Sequence, residues 1–175
     1  RPFCTSYIFE NPTIHKSNCS KLIKNALTNA VQKRVDNTER PIACLLSGGL
    51  DSSLITALVN QYMKPGQLET YSIGMEGSVD LFYAKKVADF LGTNHTEIIM
   101  TPGEFLKAIP ETIYAIESYD TTTVRASVGN YLVAKYISEN SDAKVIFNGD
   151  GSDEVCGGYL YFHYAPNCFE FDKEC

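Results

Sequence analysis

Two periodicities divide the chain. Residues 20–35, SKLIKNALTNAVQKRV, put Leu22, Ile23, Ala26, Leu27, Ala30 and Val31 on one helical face, with Ser20 in position to cap it. RPIACLL then reads as a buried strand ending at Leu46. After two glycines a helical pattern returns, with Leu54, Ile55, Leu58, Val59 and Tyr62 on one face and Pro65-Gly66 as its stop. Strand patterns follow at 68–74, 95–100 and 143–149. Between them lie helical patterns at 80–92, capped by Asp80 and closed by Gly92, from Thr101 to Ser118, and at 127–140. Thr101, Pro102 and Glu104 form a capping-box pattern, and Pro110 is expected to kink or interrupt its helix. Strands separated by helices predict an α/β fold: a mainly parallel sheet flanked by helices.

In such a sheet, ligands bind beyond the C-terminal strand ends. Ser47-Gly48-Gly49 follows the first strand there, and the next helix opens with Leu50-Asp51-Ser52-Ser53. Glycines let backbone N–H groups approach a ligand, and a helix N-terminus adds unpaired donors and partial positive charge. Hydroxyls from Ser47, Ser52 and Ser53 complete a phosphate or pyrophosphate cradle. The loop lacks the lysine and spacing of a Walker A motif and is not GxGxxG. Asp51 is a carboxylate in an anion-binding loop; Mg²⁺ held between Asp51 and the phosphates resolves the conflict. The simpler alternative is that Asp51 or Ser52 only caps the helix.

The fourth strand also runs into a glycine-rich segment, FNGDGSDEVCGGY (147–159), which carries Asp150, Asp153 and Glu154. Two carboxylate clusters at one phosphate site suggest paired metal ligands; an acidic surface turn is the alternative.

Composition narrows the field. The chain has 175 residues and a net charge of −6, without a lysine–arginine cluster, which argues against a nucleic-acid partner. No apolar run approaches the ~20 residues that span a bilayer, and no signal-peptide pattern opens the chain. The six cysteines, Cys4, Cys19, Cys44, Cys156, Cys168 and Cys175, form no compact framework and are expected to be reduced, as in the cytoplasm. The chain opens at Arg1 and closes at Cys175, and reads as a piece of a longer protein. The aromatic tail from Gly157 is expected to meet a partner segment.

SGGLDSS (47–53) matches the pyrophosphate-loop signature of N-type ATP pyrophosphatases (PP-loop enzymes). With ESYDTTTVRAS (117–127) and GDGSDEVCGGYLYFHYAPN (149–167), the chain resembles the synthetase domain of the glutamine-hydrolysing asparagine synthetases. The likeness spans 20–168, leaving 1–19 as a lead-in and 169–175 as a truncated tail. It implies an adenine nucleotide alpha hydrolase-like fold, with ATP and Mg²⁺ activating aspartate as β-aspartyl-AMP, pyrophosphate leaving, and ammonia giving asparagine. It assigns Ser47, Gly48, Gly49, Asp51, Ser52 and Ser53 to pyrophosphate, and Leu45 and Ile73 to adenine. Asn148 and Gly149 are assigned to the nucleotide, Asp51 and Asp153 to the metal. Thr122, Thr123 and Arg125 are assigned to aspartate, for which a guanidinium is chemically apt; a helix-start arginine in an ion pair is the alternative. The implied partners are aspartate and ammonia, or glutamine through a glutaminase domain absent here, and a homodimer in the full-length parent.

The second motif departs from the family's Ser-Gly-Glu-Gly-Ser-Asp-Glu. Asn148 stands for the serine, and Asp150 for the glutamate implicated in acyl-adenylate formation. Asp150 keeps the charge on an arm ~1.5 Å shorter. The 46 residues before the loop cannot hold a glutaminase domain, and Cys4 does not match its terminal catalytic cysteine. The family's later helices, which supply a catalytic lysine, are likewise absent. Two further readings stand beside the ligase: another carboxylate-adenylating enzyme, β-lactam synthetase-like, and a nucleotide-binding module without catalysis.

Overall fold

A computed structural model describes residues 16–174, which fall into two compact units within 1–36 with 150–175, and 37–149. Cys4, Cys175 and the first fifteen residues of the expected lead-in lie outside the described residues.

The central unit contains four strands, β1 (Ile42–Leu45), β2 (Glu69–Gly74), β3 (Asn94–Ile99) and β4 (Val145–Phe147), all parallel in the order β3-β2-β1-β4. Its helices, numbered along the chain after α1 (Lys16–Asp36), are α2 (Leu50–Asn60), α3 (Val79–Leu91), α4 (Pro102–Ile116) and α5 (Thr121–Asn140). Successive side chains of a strand face opposite ways, so the run from Ala43 to Leu46 feeds two cores. Ala43, Tyr71 and Ile98 pack with Val133 and Ile137 of α5 on one face. Leu46 packs with Ala84 and Ala88 of α3 on the other. α4 lies on α5 through Ala108, Val124 and Val128. Cys44 is fully buried, which pushes its thiol up to about 12, and the Thr56 hydroxyl beside it partly offsets that rise. Four cysteines among the described residues, Cys19, Cys44, Cys156 and Cys168, are free thiols.

A polar seam crosses the β2–β3 pair. The Thr70 hydroxyl lies 2.9 Å from both the Thr93 hydroxyl and His95 Nδ1, and Ser72 Oγ lies 3.1 Å from His95 Nε2. Partial burial is the main force holding the His95 pKa below its ordinary value.

Several expectations about boundaries need correction. Ser20 is not a cap, because α1 already begins at Lys16. α1 also buries less of its apolar face than the pattern suggests: Val31 is buried, but Leu22 and Ile23 are exposed. α2 ends at Asn60, with Pro65-Gly66 in the turn beyond, and it buries Thr56 rather than Leu54. Ser78, not Asp80, caps α3 by accepting from the Leu81 amide. Pro110 does not break α4, which runs unbroken from Pro102 behind its Thr101–Glu104 capping box. α5 begins at Thr121 rather than at Ser127, because Asp120 accepts from the Thr123 amide at 2.9 Å and starts the helix there. The TTTVRAS segment is therefore helical, not a loop.

The second unit carries α1, α6 (Ser152–Cys156), a 3-10 turn (Leu160–Tyr164) and α7 (Cys168–Glu174). Asn167 caps α7, accepting from the amides of Phe169 and Glu170 at 3.0 and 2.9 Å. The tail's aromatic rings largely meet one another: Tyr159 stacks on Tyr161 at 5.5 Å, Tyr161 meets Phe162 at 4.6 Å, and Phe162 meets Phe171 at 5.4 Å. Phe162 is buried, whereas Tyr161, Tyr164 and Phe169 remain exposed. Among the described residues, no helix is long and apolar enough to cross a membrane.

Candidate active site

From β1 the chain winds to β2 and β3 on one side, then returns through α4 and α5 to β4 on the other. The C-terminal ends of β1 and β4 therefore flank the topological switch point, where this architecture leaves a crevice. Ser47-Gly48-Gly49 and the Asn148-Gly149 start of the second corner follow those two strands.

The first corner is held by its own hydroxyls. Ser47 Oγ and Ser52 Oγ are 2.9 Å apart, the Ser47 amide donates to Ser52 Oγ at 3.1 Å, and the Gly49 amide donates to Ser47 Oγ at 3.3 Å. Gly49 is the N-cap of α2, and no side chain caps the helix. Neither Asp51 nor Ser52 thus fills the simple capping role. The first-turn amides of α2 remain available as anion donors. Ser53 Oγ is buried there without a hydrogen-bond partner.

The two loop glycines have different reasons. Gly48 takes φ +81°, and a Cβ on it would lie 2.5 Å from the Ala84 amide and 2.6 Å from the Tyr83 carbonyl carbon. Its bareness seats α3 against the loop. A Cβ on Gly49 would make only ordinary contact, 3.4 Å from Ser47 Oγ. At the second corner, a Cβ on Gly149 would lie 2.7 Å from the Ser52 amide nitrogen and 2.8 Å from the Asp51 carbonyl carbon. The β4 corner thus rests directly on the first turn of α2. Asp51 is half-buried in that turn, and Asn148 is exposed beside Gly149.

Leu45, Leu46, Ser47, Ile73 and Asp80 help line a cavity of about 120 Å³ at this edge. A wider apolar groove of about 750 Å³ runs along α4 and α5, lined by Phe105, Ile109, Val124 and Arg125 among others. Arg125 is exposed and forms no ion pair with a described residue. Thr122 is also exposed. Thr123 is engaged elsewhere: its hydroxyl donates to Asp120 at 2.9 Å. The Thr123 amide and hydroxyl hold the Asp120 carboxyl below the usual range.

In the second unit, α6 ends at Gly157 in the left-handed region (φ 63°), and the Gly158 amide donates to the Asp153 carbonyl at 2.9 Å. A Cβ on Gly158 would overlap the Asp153 carboxylate. Tyr159 donates to Glu154 at 2.5 Å, which lowers the Glu154 pKa and helps push the tyrosine up to about 12. Asp150 is exposed.

The oxygen-rich set fits a phosphate with a hard cation. Open α2 amides, the orphan Ser53 hydroxyl and the Gly149 approach suit the anion, and carboxylates suit Mg²⁺. Among the described residues, no group of three or more His, Cys, Asp or Glu forms a ready-made metal site. Magnesium typically needs only one or two carboxylates beside phosphates and water.

Asp80 and Asn130 are lining residues that the sequence did not single out for this site. Asp80 was legible in principle, because the loop after β2 must reach the same sheet edge as the loop after β1. Asn130 was not, because its placement depends on how α5 crosses the sheet.

A parallel sheet with a glycine-serine loop after β1, a glycine corner after β4 and an uncapped helix N-terminus between them defines an α/β domain of the PP-loop fold. Solved structures share the fold. An NH3-dependent NAD synthetase from Campylobacter jejuni matches with a TM-score of 0.55 at 17% identity, over 79% of this chain and 60% of that one. A glutamine-dependent NAD+ synthetase from Acinetobacter baumannii, in complex with ADP, matches at 0.54 and 16%, over 77% and 26%. The sequence profile described as Asparagine synthase matches residues 22–173, and the chain belongs to that family. The glutamine-hydrolysing asparagine synthetase of Homo sapiens is 50% identical over 160 residues, 87% of this chain and 28% of that protein. Its counterpart from Mesocricetus auratus is 48% identical over 170 residues, 95% and 29%. The chain thus spans under a third of the length of these relatives.

Proposed function

We propose that this chain carries the ATP-dependent amidation of aspartate to asparagine, through β-aspartyl-AMP, with release of AMP and pyrophosphate. The supporting observation is the contact of the Gly149 corner with the first turn of α2 at the switch point. It gathers the amides of one corner and the backbone of the other into one place for a polyphosphate.

The roles follow from the donors. Ser47, Gly48, Gly49, Ser52 and Ser53 hold pyrophosphate as it leaves, where backbone amides stabilise the growing charge without reorganisation. Leu45 and Ile73 offer apolar wall to the adenine, and Asn148 and Gly149 border the nucleotide. Asp51 and Asp153 are the carboxylates we assign to Mg²⁺, which when bound would neutralise charge on the leaving group. Arg125 and Thr122 bind aspartate, and Thr123, whose amide and hydroxyl are held by Asp120, fixes the helix start beside them; a guanidinium pairs with a carboxylate bidentately. Asp150 is assigned to acyl-adenylate formation. Ammonia comes from glutamine through a glutaminase activity outside these residues, as the relatives' names suggest, and the setting is cytoplasmic.

The test is pyrophosphate release by the intact protein as ATP, aspartate and ammonia are supplied singly and together. The reading expects release only with ATP and aspartate present, and asparagine only when ammonia is added. ATP binding without aspartate-dependent pyrophosphate release would instead make this a non-catalytic nucleotide module. Asp51→Asn is expected to abolish release and keep the fold; unchanged turnover would remove its metal role.

A further inference from the structure

Asn130 belongs to none of the motifs above, yet it lines both the 120 Å³ cavity and the 750 Å³ groove. Its position follows from the run of α5. Ser141, just past the helix end, donates to Glu69 at the start of β2, while Val133 and Ile137 pack under the sheet. The helix therefore runs antiparallel to the strands, and its N-terminal half rises to the C-terminal edge where Leu45 and Ser47 lie. Only Ile73 and Asn130 line both spaces, and Ile73 offers hydrocarbon alone. The Asn130 amide is exposed and makes no hydrogen bond to a described residue. Val124, Val128 and Val133 give the neighbouring walls their apolar character, and Ser47, Ser72 and Asp80 are other polar groups of the smaller cavity. Arg125 lies five residues earlier, about 7.5 Å along the helix axis.

We propose that Asn130 determines acceptor specificity: its amide N–H groups receive the carboxylate to be activated at the junction of the two cavities, while Arg125 holds the second carboxylate of the same molecule. This rests on the amidation reading above. It selects a short dicarboxylate, because a monocarboxylate can satisfy only one of the two donors.

Two near-isosteric variants test it in the intact protein: Asn130→Asp, which replaces the donor by an acidic oxygen, and Asn130→Leu, which removes it. A hydrogen bond to a charged group is worth enough that the KM for aspartate should rise about tenfold or more in Asn130→Leu, and further in Asn130→Asp. The KM for ATP should stay within about twofold, and melting temperatures should hold because the side chain is exposed. An unchanged aspartate KM in Asn130→Asp overturns the proposal, as does an equal rise in both KM values. If the unsubstituted protein releases no aspartate-dependent pyrophosphate, the amidation reading fails first and takes this proposal with it.

Discussion

Replacing Gly149 by alanine places a methyl carbon 2.7 Å from the Ser52 amide nitrogen and 2.8 Å from the Asp51 carbonyl carbon. Ordinary contact begins at 3.4 Å, so the β4 corner and the first turn of α2 must separate by about 0.7 Å. Both contact atoms are backbone at the start of a helix and cannot swing aside. Overpacking of this kind costs roughly 1–3 kcal/mol. In a chain of this size that is a fall of roughly 3–10 °C in melting temperature. The functional cost should be larger, since a displacement near 1 Å in a positioned site can cost ~10²-fold in rate. Thermal melts, ATP titration and pyrophosphate release measure the two effects separately. Gly103→Ala is the control: its Cβ would meet nothing nearer than Thr101 Oγ1 at 3.9 Å, and alanine there should leave stability unchanged or raise it by ~0.4–1 kcal/mol. A Gly149→Ala protein with ordinary melting temperature and ATP affinity would refute the claim that the two corners act as one site.

Three further outcomes are expected. Asp150→Glu restores the longer arm and should raise pyrophosphate release, by up to ~10²-fold if the ~1.5 Å shortfall limits catalysis; an unchanged rate would separate Asp150 from the chemistry. The depressed pKa of His95 means that the unfolded chain binds the proton more tightly. Its stabilising effect is therefore full above the ordinary value of 6.5 and is lost as pH falls through the folded value. Melting temperature should decline over that window, and His95→Gln should flatten the decline; an identical decline in the variant would place the titration elsewhere. Mass spectrometry after native alkylation should find Cys156 and Cys168 modified and Cys44 protected, because burial holds its thiol up to about 12; native modification of Cys44 would contradict the buried strand.

Much of the fold was legible because the sequence's periods are those of its elements. The strand runs around Cys44, Tyr71 and Ile98 appear where the β pattern put them, because the apolar side chains Ala43, Tyr71 and Ile98 pack under α5. The errors fall at element ends, where single hydrogen bonds decide. Asp120 captures the Thr123 amide and draws TTTVRAS into α5, and Ser78 captures α3 two residues ahead of Asp80. Pro110 lies inside α4 and does not end it, because the helix packs against α5 on both sides of the proline, through Phe105, Ala108 and Ile113.

The sequence by itself determined the alternation of strands and helices, the glycine-serine corner after β1 and the acidic corner after β4, since these depend on local propensity and on which residues can turn the chain. Only the tertiary structure decided the strand order that makes β1 and β4 neighbours. It also decided that Gly48 serves α3 while Gly149 meets α2, and that Asn130 stands between two cavities. Those facts rest on contacts between residues as many as a hundred positions apart, and no local period encodes them.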